Sequence, residues 1–232
     1  MHLFIHGLAV LALTVLTQIG GLAWLLALCA RRRVLTFVAG YVALSLMAAW
    51  AAPALGRVPL PCLGDGPLRM QSMLYCVLNR HYAVPALAQA LEDAAEAMEA
   101  RHPGTETLVL DAGFPFLDGF PMLPHLSHRR GRSADLAFYY RDDEGYLPGQ
   151  TRSPVGYFAF EEGPSDCPQR WLTLRWDLTW AQPLWPDWDP DPRIGKVLIE
   201  PHLETRLGVQ STKLRFQGCR AARHDDHIHV QL

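Results

Sequence analysis

The sequence predicts an α+β protein in which an apolar two-helix transmembrane hairpin precedes a domain with a central antiparallel sheet. The first observation is the charge distribution: all 23 Asp and Glu residues of the 232-residue chain lie at or after Asp65. The second is a helical period at residues 85–101, and the third is a strand-like alternation at residues 171–180. Helices segregated from an antiparallel sheet define the α+β class. We divide the chain into an anchor at 1–56, a linker with a short helix at 57–84 and a domain at 85–232.

The charge balance excludes two classes of protein. A formal net charge of −2 lacks the basic excess that nucleic-acid binding requires, so we expect no nucleic-acid partner. Before Asp65 the only Lys or Arg residues are Arg31, Arg32, Arg33 and Arg57, so the chain is not a uniform soluble globule.

The anchor consists of two uncharged apolar runs, residues 3–30 and 34–55. Each exceeds the roughly 20 residues that cross a bilayer as a helix. Arg31–Arg33 lies between them, and Lys and Arg at membrane ends stay on the cytoplasmic side. Both termini then face outward, and the chain from Arg57 onward is extracytoplasmic.

An internal signal peptide is the alternative for the same region. Arg31–Arg33 would form its charged start, residues 34–47 its apolar part, and the small residues at 48–51 its cleavage site. The same domain would be exported in either case. We favour the uncleaved hairpin because residues 3–30 would otherwise have no role.

Cysteine usage agrees with export to an oxidising compartment. Cys29 lies in the first apolar run, which leaves four cysteines outside it. Proximity in sequence favours the pairs Cys62–Cys76 and Cys167–Cys219, although four cysteines allow three connectivities. A zinc–thiolate site is disfavoured because no C-x-x-C spacing is present.

The elements of the domain follow from local patterns. Apolar residues at helical spacing between Pro85 and Arg101 predict an amphipathic helix, which Pro103–Gly104 ends. A Pro- and Gly-rich loop is expected at residues 112–132, and a Trp-rich loop at 185–190. The expected strands lie at 107–111, 134–140, 171–180, 196–200 and 228–232, and a second short helix at 202–207.

Five of the ten histidines fall in two short clusters. The first contains His125 and His128, seven residues before Asp135; the second is His224-Asp225-Asp226-His227-Ile228-His229. Since alternate residues of a strand share a face, His227 and His229 are expected to point together. Two imidazoles and one carboxylate give the three protein ligands of a catalytic zinc site, and His128, Asp135 and His229 fit this count. The alternative is a polar strand face without a metal.

The two clusters resemble the motifs of the penicillin-insensitive murein endopeptidases. These belong to the LAS group of zinc peptidases, which includes the D-Ala-D-Ala peptidases and shares the hedgehog fold. The resemblance rests on H-x-S-H-x-x-G-x-x-x-D at His125–Asp135 and H-D-D-H-x-H at His224–His229, and it covers roughly residues 105–232. It implies an LAS-type domain in the periplasm. The N-terminal hairpin, which is an unusual addition to this family, would hold that domain at a bacterial inner membrane.

The resemblance also implies the roles of individual residues. His128, Asp135 and His229 would bind one Zn²⁺, and His227 would be the catalytic base. His125, Ser127 and His224 match positions that support the site. Arg129, Arg130 and Arg132 flank it and are candidates for binding a substrate carboxylate, although a solvated basic loop is the interpretation we favour for them. A second metal is not expected, because His202 is the only histidine between Leu136 and Arg223.

The expected function is hydrolysis of peptide bonds in peptidoglycan crosslinks or stem peptides by a membrane-anchored zinc peptidase. Two other classes stay open at this point. One is a non-catalytic module that binds cell-wall peptide or a protein partner while it retains the zinc site. The other is a metal-storage or sensing site, which would not require His227 beside His229.

Overall fold

The computed structural model describes residues 2–123, 125–142, 145–147, 155–157, 182–184, 186, 188, 190–219 and 223–232. The helices are α1 (His2–Thr17), α2 (Gly20–Leu28), α3 (Arg33–Ala51), α4 (Met73–Val77), α5 (Pro85–Arg101) and α6 (Pro201–Leu207). The strands are β1 (Val58–Pro59), β2 (Leu68–Met70), β3 (Tyr82–Ala83), β4 (Thr107–Asp111), β5 (Ser133–Ala137), β6 (Tyr139–Asp142), β7 (Gly145–Leu147), β8 (Gln182–Leu184), β9 (Lys196–Leu198), β10 (Leu214–Arg215) and β11 (His227–Gln231).

The N-terminal region contains three helices where the sequence predicts two. The segment Arg33–Leu55, which comprises α3 and a 3₁₀ turn at Ala52–Leu55, is long and apolar enough to cross a membrane. The first apolar run is divided between α1 and α2, so the expected single span over residues 3–30 is corrected to two shorter helices. In the described part of the chain, only the segment that contains α3 has the length of a span.

The break between α1 and α2 has a local cause. Gln18 adopts the left-handed conformation, with φ 67°, and the backbone N–H of Gly20 donates to the Thr17 hydroxyl at 2.8 Å. A Cβ at Gly21 would overlap the Thr14 hydroxyl, so this glycine lets α2 fold back closely against α1. A polar residue and two glycines therefore interrupt a run that is apolar enough to continue as one helix.

Residues 57–84, expected as a linker with a short helix, are part of the folded domain. The short helix is present as α4, and Ser72 caps it by accepting a hydrogen bond from the N–H of Leu74. Strand β1 pairs with β3, and β2 joins the main sheet beside β4. Leu60, Met70 and Tyr75 are buried in the core.

One of the two expected disulfides is described completely. Cys62 and Cys76 are bonded and tie the β1–β2 connection to α4. Cys219 is also disulfide-bonded, but Cys167, its expected partner, lies outside the described residues. Cys29 is a free, exposed thiol.

The main sheet has six strands in the order β10-β9-β11-β5-β4-β2. Its centre is antiparallel as expected, and a strand that runs parallel to its neighbour lies at each edge. Helix α5 buries Leu87, Leu91 and Met98, the face predicted from its helical period. Helix α6 begins at Pro201 and buries Leu203. Both helices and four of the five strands expected from residue 85 onward thus have a counterpart, with residues 134–140 divided between β5 and β6.

A second sheet of three short strands, in the order β7-β6-β8, extends from the end of β5. The alternating segment at residues 171–180, expected to be a half-buried strand, lies outside the described residues. In the Trp-rich loop, Trp188 is buried and packs with the core, whereas Trp185 lies outside the described residues.

Candidate metal centre

Three acidic and histidine side chains lie in one row across the middle of the main sheet. In the register of the strands, Asp135 on β5 lies opposite His229 on β11 and opposite Asp111 on β4. All three residues are at most 2% exposed. Because paired residues of neighbouring strands share a face, the sheet itself brings these groups together. Burying them is costly unless they are paired or bind a metal.

His128 is brought to this row by the turn that precedes β5. A 3₁₀ turn at Leu126–His128 and a left-handed Gly131 (φ 61°) return the chain toward the sheet. The Nδ1–H of His128 donates to the carbonyl oxygen of Ala112 at 2.8 Å, and its Nε2 lies 3.0 Å from Oδ1 of Asp135. A carbonyl only accepts, so in the neutral ring Nδ1 carries the proton and Nε2 presents a lone pair to a carboxylate. Either a second proton or a cation is needed between these two atoms.

His229 approaches the same carboxylate oxygen from β11. Its Nδ1 lies 2.7 Å from Oδ1 of Asp135. Its Nε2 is buried and has no hydrogen-bond partner among the described residues. An unpaired buried nitrogen is unfavourable, and a metal ion is one group that would satisfy it.

His125, for which the sequence suggested a supporting role, joins the cluster directly. Its Nδ1 lies 3.1 Å from Oδ2 of Asp111 and 3.2 Å from Oδ2 of Asp135. His125, His128 and Asp135 form a set whose ligand atoms all lie within 4.8 Å of one another, and this set could hold a metal ion. The expected set of His128, Asp135 and His229 shares two of these three members.

His227 lies next to the cluster rather than in its centre. Its Nε2 is 3.7 Å from Oδ1 of Asp135, and its Nδ1 is 2.5 Å from Oδ1 of Asp226. Burial alone would lower the pKa of His227, but the charge of Asp135 and the hydrogen bond to Asp226 raise it to about 9. Since Asp226 engages Nδ1, Nε2 is the atom directed at the cluster.

The electrostatics of the centre are dominated by Asp135. Burial would raise the pKa of this carboxyl, but the surrounding imidazoles, first His128 and His227, hold it well below its ordinary value. Burial would lower the pKa of His128, and the same carboxylate raises it. For His229, burial prevails and lowers the pKa. Asp135 therefore favours the protonated forms of both His128 and His227.

The remaining predicted residues lie around this centre. The ring of His224 is 4.8 Å from that of His227 and 5.6 Å from that of His229, and burial together with those neighbours lowers its pKa to about 2. Ser127 is exposed on the turn before β5 and makes none of the contacts described for the cluster. Arg129, Arg130 and Arg132 are exposed, which fits a solvated basic loop and also leaves them accessible to a ligand.

Three residues of the centre were missed by the sequence reasoning. Asp111 was noted only as the end of a strand, yet it contacts His125 and forms a buried ion pair with Arg80. The hydroxyl of Tyr157 donates to Oδ2 of Asp135 at 2.8 Å and lies 3.2 Å from Nδ1 of His125. The acidic end of a buried strand was a usable signal for Asp111, whereas Arg80 and Tyr157 lie in segments without a motif.

The donor set suits a divalent transition metal. Imidazole nitrogens with one carboxylate are ligands typical of zinc and of related metals, so the chemistry fits Zn²⁺ without identifying it. Comparison with models of known protein families and with curated proteins finds no match to this chain. The geometry and the sequence motifs are therefore the basis for assigning a function.

Proposed function

We propose that this protein is a membrane-anchored zinc metallopeptidase that hydrolyses peptide bonds of peptidoglycan crosslinks or stem peptides. The observation that carries the proposal is the arrangement around Asp135. His128 directs Nε2 at this carboxylate, and Nδ1 of His128 is fixed by Ala112. Such a second hydrogen bond fixes the tautomer and orientation of metal-binding histidines.

The residues that would hold the metal are His128, Asp135 and His229, with His125 as a further or alternative ligand. The mutual distances of the ligand atoms of His125, His128 and Asp135 support a cation at this position. When bound, Zn²⁺ acts as a Lewis acid on a carbonyl group and lowers the pKa of a coordinated water to about 7.

His227 is the residue best suited to move a proton in this site. Its Nε2 faces the cluster, and Asp226 holds the opposite nitrogen. A divalent cation bound beside Asp135 would offset the carboxylate charge that keeps His227 protonated, so that Nε2 would accept a proton from the attacking water and return it to the departing amine, while Asp226 stabilises the imidazolium. A histidine oriented by a carboxylate in this way is a common form of general base.

The substrate class follows from the motifs and is supported by the surroundings of the site. The two histidine motifs resemble those of murein endopeptidases, and peptidoglycan stem peptides carry free carboxylates. The exposed Arg129, Arg130 and Arg132 follow His128 within four residues of the chain, and guanidinium groups suit the recognition of such carboxylates. An anchor would keep the domain beside this immobile polymer and raise its effective concentration.

Digestion of purified sacculi by the full chain in detergent tests the proposal. We expect the zinc-loaded protein to release cleaved muropeptides, detected by mass spectrometry, and His128→Gln to release almost none. His102→Gln, at the partly exposed end of α5, is the matched control and should digest like the original protein. Equal digestion by His128→Gln would refute the proposal. Zinc-dependent binding to sacculi without cleavage would instead support the non-catalytic binding module.

A further inference from the structure

The domain contacts helix α3, and apolar side chains are exposed both on α3 and on the part of the domain beside it. Helix α3 exposes an apolar stripe along its whole length, formed by Val34, Val38, Val42, Leu46 and Trp50 at helical spacing. Trp50, near the end of the helix, is 86% exposed. The stripe is typical of a surface in contact with lipid.

A neighbouring side of α3 contacts the domain at the middle of the helix rather than beyond its end. The hydroxyl of Tyr41 donates to the carbonyl oxygen of Val77 at 2.5 Å. The side-chain amide of Asn79, which is buried, donates to the Tyr41 hydroxyl at 2.9 Å and to the Ser45 hydroxyl at 3.3 Å. Tyr41 precedes Ala51, the last residue of α3, by 10 residues, which corresponds to about 15 Å along the axis. The domain therefore lies beside the second half of α3.

Helix α4 is the part of the domain at this level. Met73, Leu74 and Val77, which we call the α4 patch, are 49%, 36% and 54% exposed and lie on one face of the helix. Residues 70–79 contain no charged residue. The polar groups of Tyr41, Ser45 and Asn79 bond to one another, which is how polar groups are tolerated at membrane depth.

We infer that the α4 patch inserts into the outer leaflet of a phospholipid bilayer, so that the domain is seated on the membrane and does not swing on a tether. The inference rests on the membrane anchoring in the proposed function. Helix α4 contacts the middle of the candidate span through Val77, and neither residues 34–55 nor residues 70–79 contain a charged residue. At this depth the α4 patch faces the acyl chains, into which the apolar face of a membrane-associated helix inserts.

Lipid quenching in vesicles tests the insertion directly. The full chain carrying Cys29→Ser and Val77→Cys is labelled with an environment-sensitive fluorophore and reconstituted into phosphatidylcholine–phosphatidylglycerol vesicles. With acyl-chain-brominated lipid, we expect emission to fall to about half or less, as for a group at acyl-chain depth. Aqueous iodide should have little effect. Glu96→Cys, at an exposed position of α5, is the matched control and should show the reverse response.

Two outcomes would overturn the inference. Quenching of the Val77→Cys label by iodide and not by lipid would overturn the inference. Self-quenching between labelled copies without lipid quenching would overturn it too and would assign the patch to a second copy of the chain. Met73→Cys provides a second position if Val77→Cys misfolds. Sacculus digestion is measured in detergent and does not depend on insertion of the α4 patch into a bilayer. The peptidase proposal and the membrane insertion are therefore tested separately.

Discussion

His229 and Asp135 face each other directly across β11 and β5, with Nδ1 of His229 2.7 Å from Oδ1 of Asp135. The two residues are 94 positions apart in the chain, and the pairing of two central strands brings them together. The same carboxylate contacts His128 at the end of a turn and Tyr157 from a separate segment. The sheet thus holds Asp135 and His229 in one row, and segments outside the sheet contribute His128 and Tyr157.

The buried ion pair between Arg80 and Asp111 should be essential for stability. Both side chains are almost fully buried, so Asp111→Asn leaves the guanidinium without its countercharge. We expect a loss of about 3–5 kcal/mol in the free energy of unfolding. Denaturant unfolding measures it. Arg69→Ala breaks the half-exposed pair with Glu106 and is the control, with an expected cost below about 1 kcal/mol. Equal losses of unfolding free energy in the two variants would contradict an essential role of the Arg80–Asp111 ion pair in stability.

Loss of the Cys62–Cys76 disulfide should destabilise the domain measurably. The bond closes a loop with a sequence separation of 14. Loop-closure entropy predicts that the double substitution Cys62→Ser/Cys76→Ser lowers the free energy of unfolding by about 3 kcal/mol. Thermal unfolding under non-reducing conditions measures the effect, and Cys29→Ser, which removes a free thiol, is the control. An unchanged melting temperature for the double variant would refute this expectation.

His81 should make the protein sensitive to acid. Burial lowers the pKa of this imidazole to about 4, below its ordinary value. Between about pH 6.5 and 4 the unfolded chain binds a proton that the folded chain does not, so stability is lost as pH falls, by about 1.4 kcal/mol per pH unit. His81→Gln should flatten the dependence of unfolding free energy on pH in this range. A slope identical to that of the original protein would show that His81 does not cause it.

The metal-free protein should lose stability in alkali through His227. Asp135 and Asp226 raise the folded-state pKa to about 9, against an unfolded value near 6.5. The stabilisation is complete below about pH 6.5 and disappears as pH rises through about 9. In chelator-treated protein, Asp226→Asn should reduce this alkaline loss, because one of the three carboxylates that favour the imidazolium is removed. An alkaline loss of the same size in Asp226→Asn would contradict the role of Asp226.

Local patterns were sufficient to predict several elements of the domain but not their assembly. The helical period of α5 and the apolar Ile228 and Val230 of β11 are properties of short segments, and the structure contains both elements. The row Asp111–Asp135–His229 depends on the register between three strands, which no single segment encodes. Arg80 and Tyr157 join the centre only through tertiary packing, and neither lies in a motif.

The N-terminal region shows a different limit of sequence reasoning. Hydropathy predicts a continuous span over residues 3–30, because Gln18, Gly20 and Gly21 lower the average little. The break depends on the close approach of Gly21 to Thr14 and on the contact of Gln18 with the domain, where the N–H of Phe116 donates to its side-chain oxygen at 3.0 Å. Both are tertiary interactions between segments that hydropathy treats separately.

Zinc binding by the full-length protein with and without Asp135 tests the central claim most directly. The amount of bound metal and its affinity are measured by equilibrium dialysis against a competing chelator. Glu96→Gln, at an exposed position of α5, serves as the control. The account predicts one zinc ion per chain for the original protein and the control, and a loss of affinity of at least about 100-fold for Asp135→Asn. Retention of the same zinc ion with unchanged affinity in Asp135→Asn would contradict it.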